Sequence, residues 1–326
     1  MLIIGIDIAK EKLAVCLQAE REILKEEEFG NHKKGFKAIE KWLKPHRMDE
    51  VHICMEATNV YWEEAAEYCH AAGAKVSVVN PVRTKGFAMS QLRRNKTDKV
   101  DARDIAAFCA ATPDLTLWRP PTPEQRKLRA LVRHREALVK TRTQQSNRLQ
   151  TAREEEVRSS LQSVITMLNE QIEKINQQIS DLIDQEPGFK EDHELLCTIK
   201  GVGGRTAERI LAEMYDLAQY ESARAAAADA GLTPAHHESG TSVRRKPKLS
   251  KVGKASLRSA LFFPAMSAVQ SNPIIRRMAE RLENRGKTPK VVLGAAMRKL
   301  LHIAYGVLKN RTPFDPDHQP VHASLG

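Results

Sequence analysis

A chain of 326 residues has room for two domains and a connector, and its 52 Lys and Arg against 41 Asp and Glu, a formal charge of +11, favour polyanionic partners, nucleic acid ahead of an anionic membrane surface. Five scattered cysteines (Cys16, Cys54, Cys69, Cys109 and Cys197), without C-x-x-C or paired Cys/His spacing, argue against a disulfide framework or a zinc site and are expected as buried reduced thiols. Aromatic residues are 5% of the chain, so charge rather than base stacking should dominate a nucleic-acid contact; no apolar run approaches the roughly 20 residues of a bilayer span and no signal-peptide pattern follows Met1, so a soluble cytoplasmic protein without membrane contact is expected.

LIIGIDIA and KLAVCLQ read as two β-strands separated by a short polar step, REILKEEEF as a third, and GNHKKGFKAIEKWLK as a helix. VHICMEA follows as a buried strand, NVYWEEAAEYCHAAG as a helix ending at glycine, and AKVSVVN as a strand closed by Pro81. NKTDKVDARDIAAFCA is helical. The alternation predicts an α/β layer to about residue 111, which the prolines of TPDLTLWRPPTPEQ interrupt. Domain limits of 1–122, 123–187 and 188–326 follow.

From Gln125 to about Gln185 glycine and proline are almost missing, and Leu161, Ile165, Leu168, Ile172, Ile175, Ile179 and Leu182 alternate four and three apart, a heptad seam. Such a coiled-coil connector buries its stripe against the preceding segment folded back or against a second subunit. Its first part, QRKLRALVRHREALVKTRTQQSNRLQTAR, is basic with Glu136 as its one acid, and suits a solvated face and a phosphate-tracking helix equally. Pro187 and Gly188 end the helix. LLCTIKGVGGRTAERILAEM then has the form of a helix-hairpin-helix, in which the turn at Gly201, Val202 and Gly203, with Arg205 beyond it, would offer backbone N–H groups to a phosphate; an ordinary glycine turn between packed helices is the other reading. SKVGKASLRSALFFPAMSAVQ, NPIIRRMAERLENRG and TPKVVLGAAMRKLLHIAYGVLKNR read as helices with basic faces, and the tail from Thr312 as frayed.

Asp7 lies within an apolar strand, where an unmatched carboxylate costs on the order of several kcal/mol unless solvent, a partner or a metal meets it. Glu56 repeats the situation after VHICM, and side-by-side strands would bring both acids to one sheet edge. In the helical segment Asp98 with Asp101, or Asp101 with Asp104, can share an ion; all three cannot, because residues six apart on a helix diverge by about 120°. One of them is therefore an outer member. Four convergent carboxylates suit hard divalent cations, Mg²⁺ or Mn²⁺, with positions left for a phosphate and an attacking oxygen.

GIDIAKEKLAV, CMEATNVYW, NKTDKVDARDIA and GLTPAHHESG…LSKVGKASLR, in that order around a basic helical connector, resemble the DEDD insertion-sequence transposases related to Piv-type DNA invertases. The resemblance spans nearly the whole chain. It implies an N-terminal RuvC-like domain of ribonuclease-H fold whose metal-binding acids fall on Asp7, Glu56, Asp98 and Asp101, with Asp104 the extra acid. It also implies a mainly α C-terminal transposase domain whose serine nucleophile falls on Ser239. From the residues alone the Ser-Gly pair is a polar turn, with Thr241 and Ser242 as rival hydroxyls and His236 and His237 as solvated turn residues or bases. Arg244, Arg245, Lys246, Lys248 and Lys251 follow without an acid and suit a scissile phosphate. The family's members use a noncoding bridge RNA that pairs with donor and target DNA, and act as homodimers or homotetramers. The implied activity is DNA strand cleavage and exchange. A Holliday-junction-type nuclease without a covalent intermediate is the alternative; a sugar kinase is disfavoured because Ala9, Lys10 and Glu11 occupy the place of a phosphate-binding turn, and a non-enzymatic nucleic-acid scaffold leaves the carboxylates unexplained.

Overall fold

Alternation of side chains decides the first layer. In the computed structural model, which describes residues 2–20, 22–91, 97–214, 217–239, 243–250 and 252–317 (backbone alone over 235–239 and 243–248), the chain divides into two units, Met1–Pro121 and Thr122–Gly326. The first contains β1 (Leu2–Ile8), β2 (Lys12–Ala19), β3 (Glu22–Gly30), α1 (Lys33–Trp42), β4 (Val51–Glu56), α2 (Glu63–Ala71), β5 (Lys75–Val79), α3 (Pro81–Ser90) and α4 (Asp98–Ala111). The strands form one sheet in the order β3-β2-β1-β4-β5, with β1–β2 and β2–β3 antiparallel and β4 and β5 parallel to β1. β2 alone runs against the others, so the sheet is mixed.

Period-two alternation sends the residues of each strand to different cores. Ile4, Ile6 and Ile8 join Leu13, Val15, Leu17, Ile53 and Met55 under α1 and α2, whereas Ile3 joins Ala14, Cys16 and Cys54 under α4. Parity therefore places Asp7, Lys12 and Glu56 on the α4 face. That helix lies unusually close to the sheet: a Cβ on Gly5 would stand 2.2 Å from the Ala102 carbonyl oxygen and 2.8 Å from Ala106 Cβ. Arg103 also pairs with Glu26 on the edge strand β3, which ties α4 across the sheet.

The segment after Pro81, read only as a strand end, is the helix α3. Asn80 caps it by accepting from the Val82 N–H at 2.9 Å, and Pro81 opens it. Four cysteines are buried as expected, but Cys197 is exposed.

In the second unit the expected single connector is two helices, α5 (Pro123–Thr151) and α6 (Glu155–Gln185), joined by extended residues and packed on one another. Thr122 and Gln125 cap α5 reciprocally. The α6 stripe Leu161, Ile165, Leu168, Ile172, Ile179 and Leu182 is buried and Ile175 half-buried, so the preceding segment folded back supplies a partner. α7 (Pro187–Cys197), α8 (Gly204–Glu213), α9 (Ala223–Asp229), the antiparallel pair β6 (Pro234–Ser239) and β7 (Val243–Leu249), α10 (Ala255–Ser271), α11 (Pro273–Glu283) and α12 (Pro289–Asn310) complete it. The unit is mainly helical.

α12 corrects one expectation: it is long and apolar enough by length and composition to cross a membrane. Its apolar side supplies Ala296, Leu300, Leu301 and Ala304 to the core of this unit, which accounts for its composition. The frayed-tail expectation also fails for its described part. Phe314 packs against the same core, and its N–H donates to Thr198 Oγ1 at 2.8 Å.

Candidate active site: a carboxylate cluster

Parallel pairing of Ile6 with Met55 sets Asp7 and Glu56 side by side at the C-terminal ends of adjacent strands, on the face that α4 covers. Thr97 caps α4, its hydroxyl accepting from the Val100 N–H at 3.3 Å, so Asp98 and Asp101 occupy the first turn, where the helix dipole favours negative charge. The close seat of α4 on Gly5 brings that turn over Asp7. Burial, then the charges of Asp101, Asp98 and Glu56, push the Asp7 carboxyl from 3.8 up to about 6, against a backbone hydrogen bond from Ile8 that lowers it.

Of the pairs left open by helical geometry, Asp98 and Asp101 both act on Asp7, whereas Asp104, one turn on, is buried. The structure thus brings together Asp7, Glu56, Asp98 and Asp101, and leaves Asp104 facing inward.

Two neighbours escaped the sequence reading. Lys12 Nζ lies 2.9 Å from Asp98 Oδ2, and the buried Thr84 hydroxyl hydrogen-bonds the Glu56 carboxylate while standing 3.0 Å from the Pro81 carbonyl. Lys12 shares strand parity with Ala14 and Cys16, which was a usable signal. Thr84 carried none, since the helix that delivers it went unread.

The donor set is all hard oxygen, and a divalent cation relieves the mutual repulsion that adds to burial in raising Asp7. The set therefore fits Mg²⁺ or Mn²⁺ in chemistry and charge. With Asp98 turned to Lys12 and Glu56 to Thr84, however, no group of three or more His, Cys, Asp or Glu among the described residues is gathered closely enough to hold an ion. Ligation by all four acids requires those side chains to turn inward.

Ser239, expected in a polar loop, ends strand β6. The register pairs Ser239 with Val243, Glu238 with Arg244, His237 with Arg245 and Ala235 with Lys248. Extended backbone replaces the loop because residues on both sides of the turn pair with one another. Arg244, Arg245, Lys246 and Lys248 thus share β7, opposite the strand that ends in Ser239. Gly240, Thr241, Ser242 and Lys251 lie outside the described residues.

The glycine turn has a packing explanation. Gly201 adopts φ +99°, and a Cβ there would meet Ala268 Cβ at 2.7 Å and Cα at 2.9 Å on α10. Gly203 precedes α8 with open space around it, and Arg205 is exposed in the first turn. Part of the basic run of α5 is likewise internal: Arg133 pairs with Glu213 at 2.8 Å, Arg135 with Glu208, and Glu136 with Arg209, all toward α8. The solvated and phosphate-tracking readings both overlooked this third use.

Residues 4–155 match a family described as "Transposase", of the DEDD type of IS110, and residues 193–280 match "Transposase IS116/IS110/IS902 family". The chain is 35% identical over 319 residues to the pilin gene-inverting protein of Moraxella bovis, covering 96% of this chain and 97% of that one. It is 28% identical over 283 residues to the transposase of insertion sequence element IS1328 from Yersinia enterocolitica, covering 76% and 81%. Among solved structures, RuvC of T. thermophilus in complex with a Holliday junction substrate is similar at 14% identity and TM-score 0.27, over 36% of this chain and 99% of that one. The chain belongs to the IS110-type, Piv-like transposase family and is a DNA-rearranging enzyme.

Proposed function

We propose that this protein is an insertion-sequence recombinase that cleaves and exchanges DNA strands with Ser239 as nucleophile and Asp7, Glu56, Asp98 and Asp101 as a divalent-metal site. The observation that carries the metal part is the convergence of three carboxylates on the half-buried Asp7, whose pKa burial first, and then those three charges, push up to about 6. Asp7 and Glu56 stand at the C-terminal edge of a parallel pair of strands, where α/β sheets present their ligands, and the first turn of α4 adds Asp98 and Asp101.

In the reaction Ser239 Oγ forms a new P–O bond as one P–O ester bond of the strand breaks, and the serine proton ends on the departing oxygen. A phosphoserine link conserves the ester for rejoining to a different strand end. Mg²⁺ or Mn²⁺ held by the four acids would neutralise phosphate charge and orient the strand. Thr84 holds Glu56 in place, Lys12 offers an ammonium to Asp98 or to an incoming phosphate, and Arg244, Arg245, Lys246, Lys248 and Lys251 bind backbone beside the nucleophile. Gly201, Gly203 and Arg205 add a phosphate contact at the start of α8.

Choice of donor and target DNA is delegated to pairing with a bridge RNA, by similarity to the family. A homodimer or homotetramer acts on nucleoid DNA in the cytoplasm, with the α5–α6 coiled coil as connector between domains. The deciding experiment is denaturing electrophoresis of the reaction with end-labelled DNA. Wild type should give a protein–DNA adduct that Ser239→Ala lacks, and Asp7→Asn should abolish cutting. Strand exchange at the normal rate by Ser239→Ala would remove the nucleophile assignment, and metal-dependent cutting without any adduct would favour the junction nuclease.

A further inference from the structure

A basic groove of about 660 Å³ lies between α1, the segment leading into β4 and the end of α2. Lys37, Lys41, Lys44, His46 and Arg47 line it with two acids, Glu40 and Asp49. Both acids are already engaged: Glu40 accepts from Tyr68 Oη at 2.7 Å, and Asp49 accepts from Arg47 Nε at 3.0 Å. Lys37, Lys41, Lys44 and His46 have no ion-pair or side-chain hydrogen-bond partner among the described residues, so the groove keeps its positive charge. Its floor includes Met48, Ala71, Ala72 and Gly73, without a Trp, Tyr or Phe on which an unpaired base would stack.

Its place follows from strand direction. The segment before Val51 and the turn before Lys75 meet the sheet at the N-terminal ends of β4 and β5, whereas Asp7 and Glu56 stand at the C-terminal ends of β1 and β4. The five steps between the six residues of β4, at about 3.3 Å each, separate the two edges by about 17 Å, which is about five base pairs of duplex at 3.4 Å per pair. The groove is therefore outside the site where a strand would be cut.

We propose that this groove is a second nucleic-acid contact, which grips the phosphate backbone of the duplex DNA flank of the strand held at the carboxylates, at least about five base pairs from the scissile phosphate. It rests on the carboxylate site being where DNA is cut. The groove offers cations, two of them on the exposed face of α1, without stacking platforms, so it holds phosphates and leaves sequence unread. Its effect is to fix the direction in which the flank leaves the catalytic domain.

The test is binding of the full-length protein to two DNA substrates, one with a flank of about three base pairs on the groove side and one of about fifteen, by fluorescence anisotropy over a salt series. The variant is Lys37→Gln/Lys41→Gln/Lys44→Gln, all at exposed positions. On the long flank the slope of log affinity against log salt should fall by about 2.7, at about 0.9 for each of three lost phosphate contacts, and on the short flank it should not change. An unchanged slope on the long flank overturns the proposal, as does an equal change on both substrates. Stronger competition by duplex RNA of the same length would assign the groove to RNA and overturn the DNA commitment. The two readings fail separately: cutting by Asp7→Asn would refute the carboxylate site with the salt slopes unaffected, whereas a missing slope difference with Asp7-dependent cutting intact would refute the groove alone.

Discussion

Replacing Asp7 by Asn should stabilise the first unit at neutral pH while abolishing cutting. The sign follows from the raised pKa. Below 3.8 the carboxyl is protonated in the folded and unfolded chains alike and contributes nothing; between 3.8 and about 6 the unfolded chain ionises first; above about 6 the folded protein carries an ionised group that it disfavours. Stability therefore falls as pH rises through that window. The shift corresponds to about 3 kcal/mol between protonation states, and partial solvent access reduces the expected gain in Asp7→Asn to about 1–2 kcal/mol. Urea unfolding followed by tryptophan fluorescence is a selective assay, because all three tryptophans, Trp42, Trp62 and Trp118, lie in the first unit. The gain should be present at pH 7.5 without divalent metal and should shrink toward zero at pH 4. Adding Mg²⁺ should stabilise wild type and do less for the variant, because a ligand raises stability only through the state that binds it. A variant no more stable than wild type at pH 7.5, or equally favoured at pH 4, would refute the account of Asp7 as a carboxylate disfavoured by burial and by its neighbours.

Other perturbations follow from particular contacts. Gly5→Ala puts a methyl 2.2 Å from the Ala102 carbonyl oxygen, so α4 must shift; we expect at least about 1–3 kcal/mol of destabilisation and loss of cutting, measured on the same unfolding curves and with labelled DNA. Thr84→Val should reduce cutting and raise the Mg²⁺ concentration needed, with recovery in Thr84→Ser, which restores the hydroxyl to Glu56; equal rates in both variants would make the hydrogen bond dispensable. Asn272→Ala in the second unit removes the side chain that accepts from the Ile274 and Ile275 N–H groups and donates to the Lys200 carbonyl at 3.1 Å, and should lower thermal stability by about 2 kcal/mol, seen by calorimetry.

What was legible in the sequence depended on whether its period was short. Parity of two along GIDIA and VHICME both predicts strands and puts Asp7 and Glu56 on one face, so the paired acids could be read before the fold was known. The α6 seam was legible for the same reason. The helix Pro81–Ser90 was not, because Gly86 and mixed polarity leave no clear apolar stripe, and with it went Thr84, the partner of Glu56. The charged run of α5 misled in another way. Arg133, Arg135 and Glu136 look like surface charge in one dimension, but their partners on α8 are 73 to 80 residues away, and nothing local announces them.

The choice among Asp98, Asp101 and Asp104 shows where periodicity stops and packing begins. A spacing of three makes two pairs equivalent on an isolated helix, and no count of degrees per residue separates them. Gly5 separates them. By admitting Ala102 and Ala106 against β1 it fixes both the rotation and the axial position of α4, so the turn N-terminal to Ala102 stands above Asp7 and the turn that holds Asp104 lies against the core. A larger residue at position 5 would lift the helix and weaken the repulsion that marks the site. The missing side chain of a glycine two residues before Asp7 therefore decides which carboxylates meet it. Gly5→Ala should accordingly return the Asp7 pKa toward 3.8 in a titration followed by carboxyl-carbon NMR; an unmoved value near 6 would mean that α4 does not set the cluster.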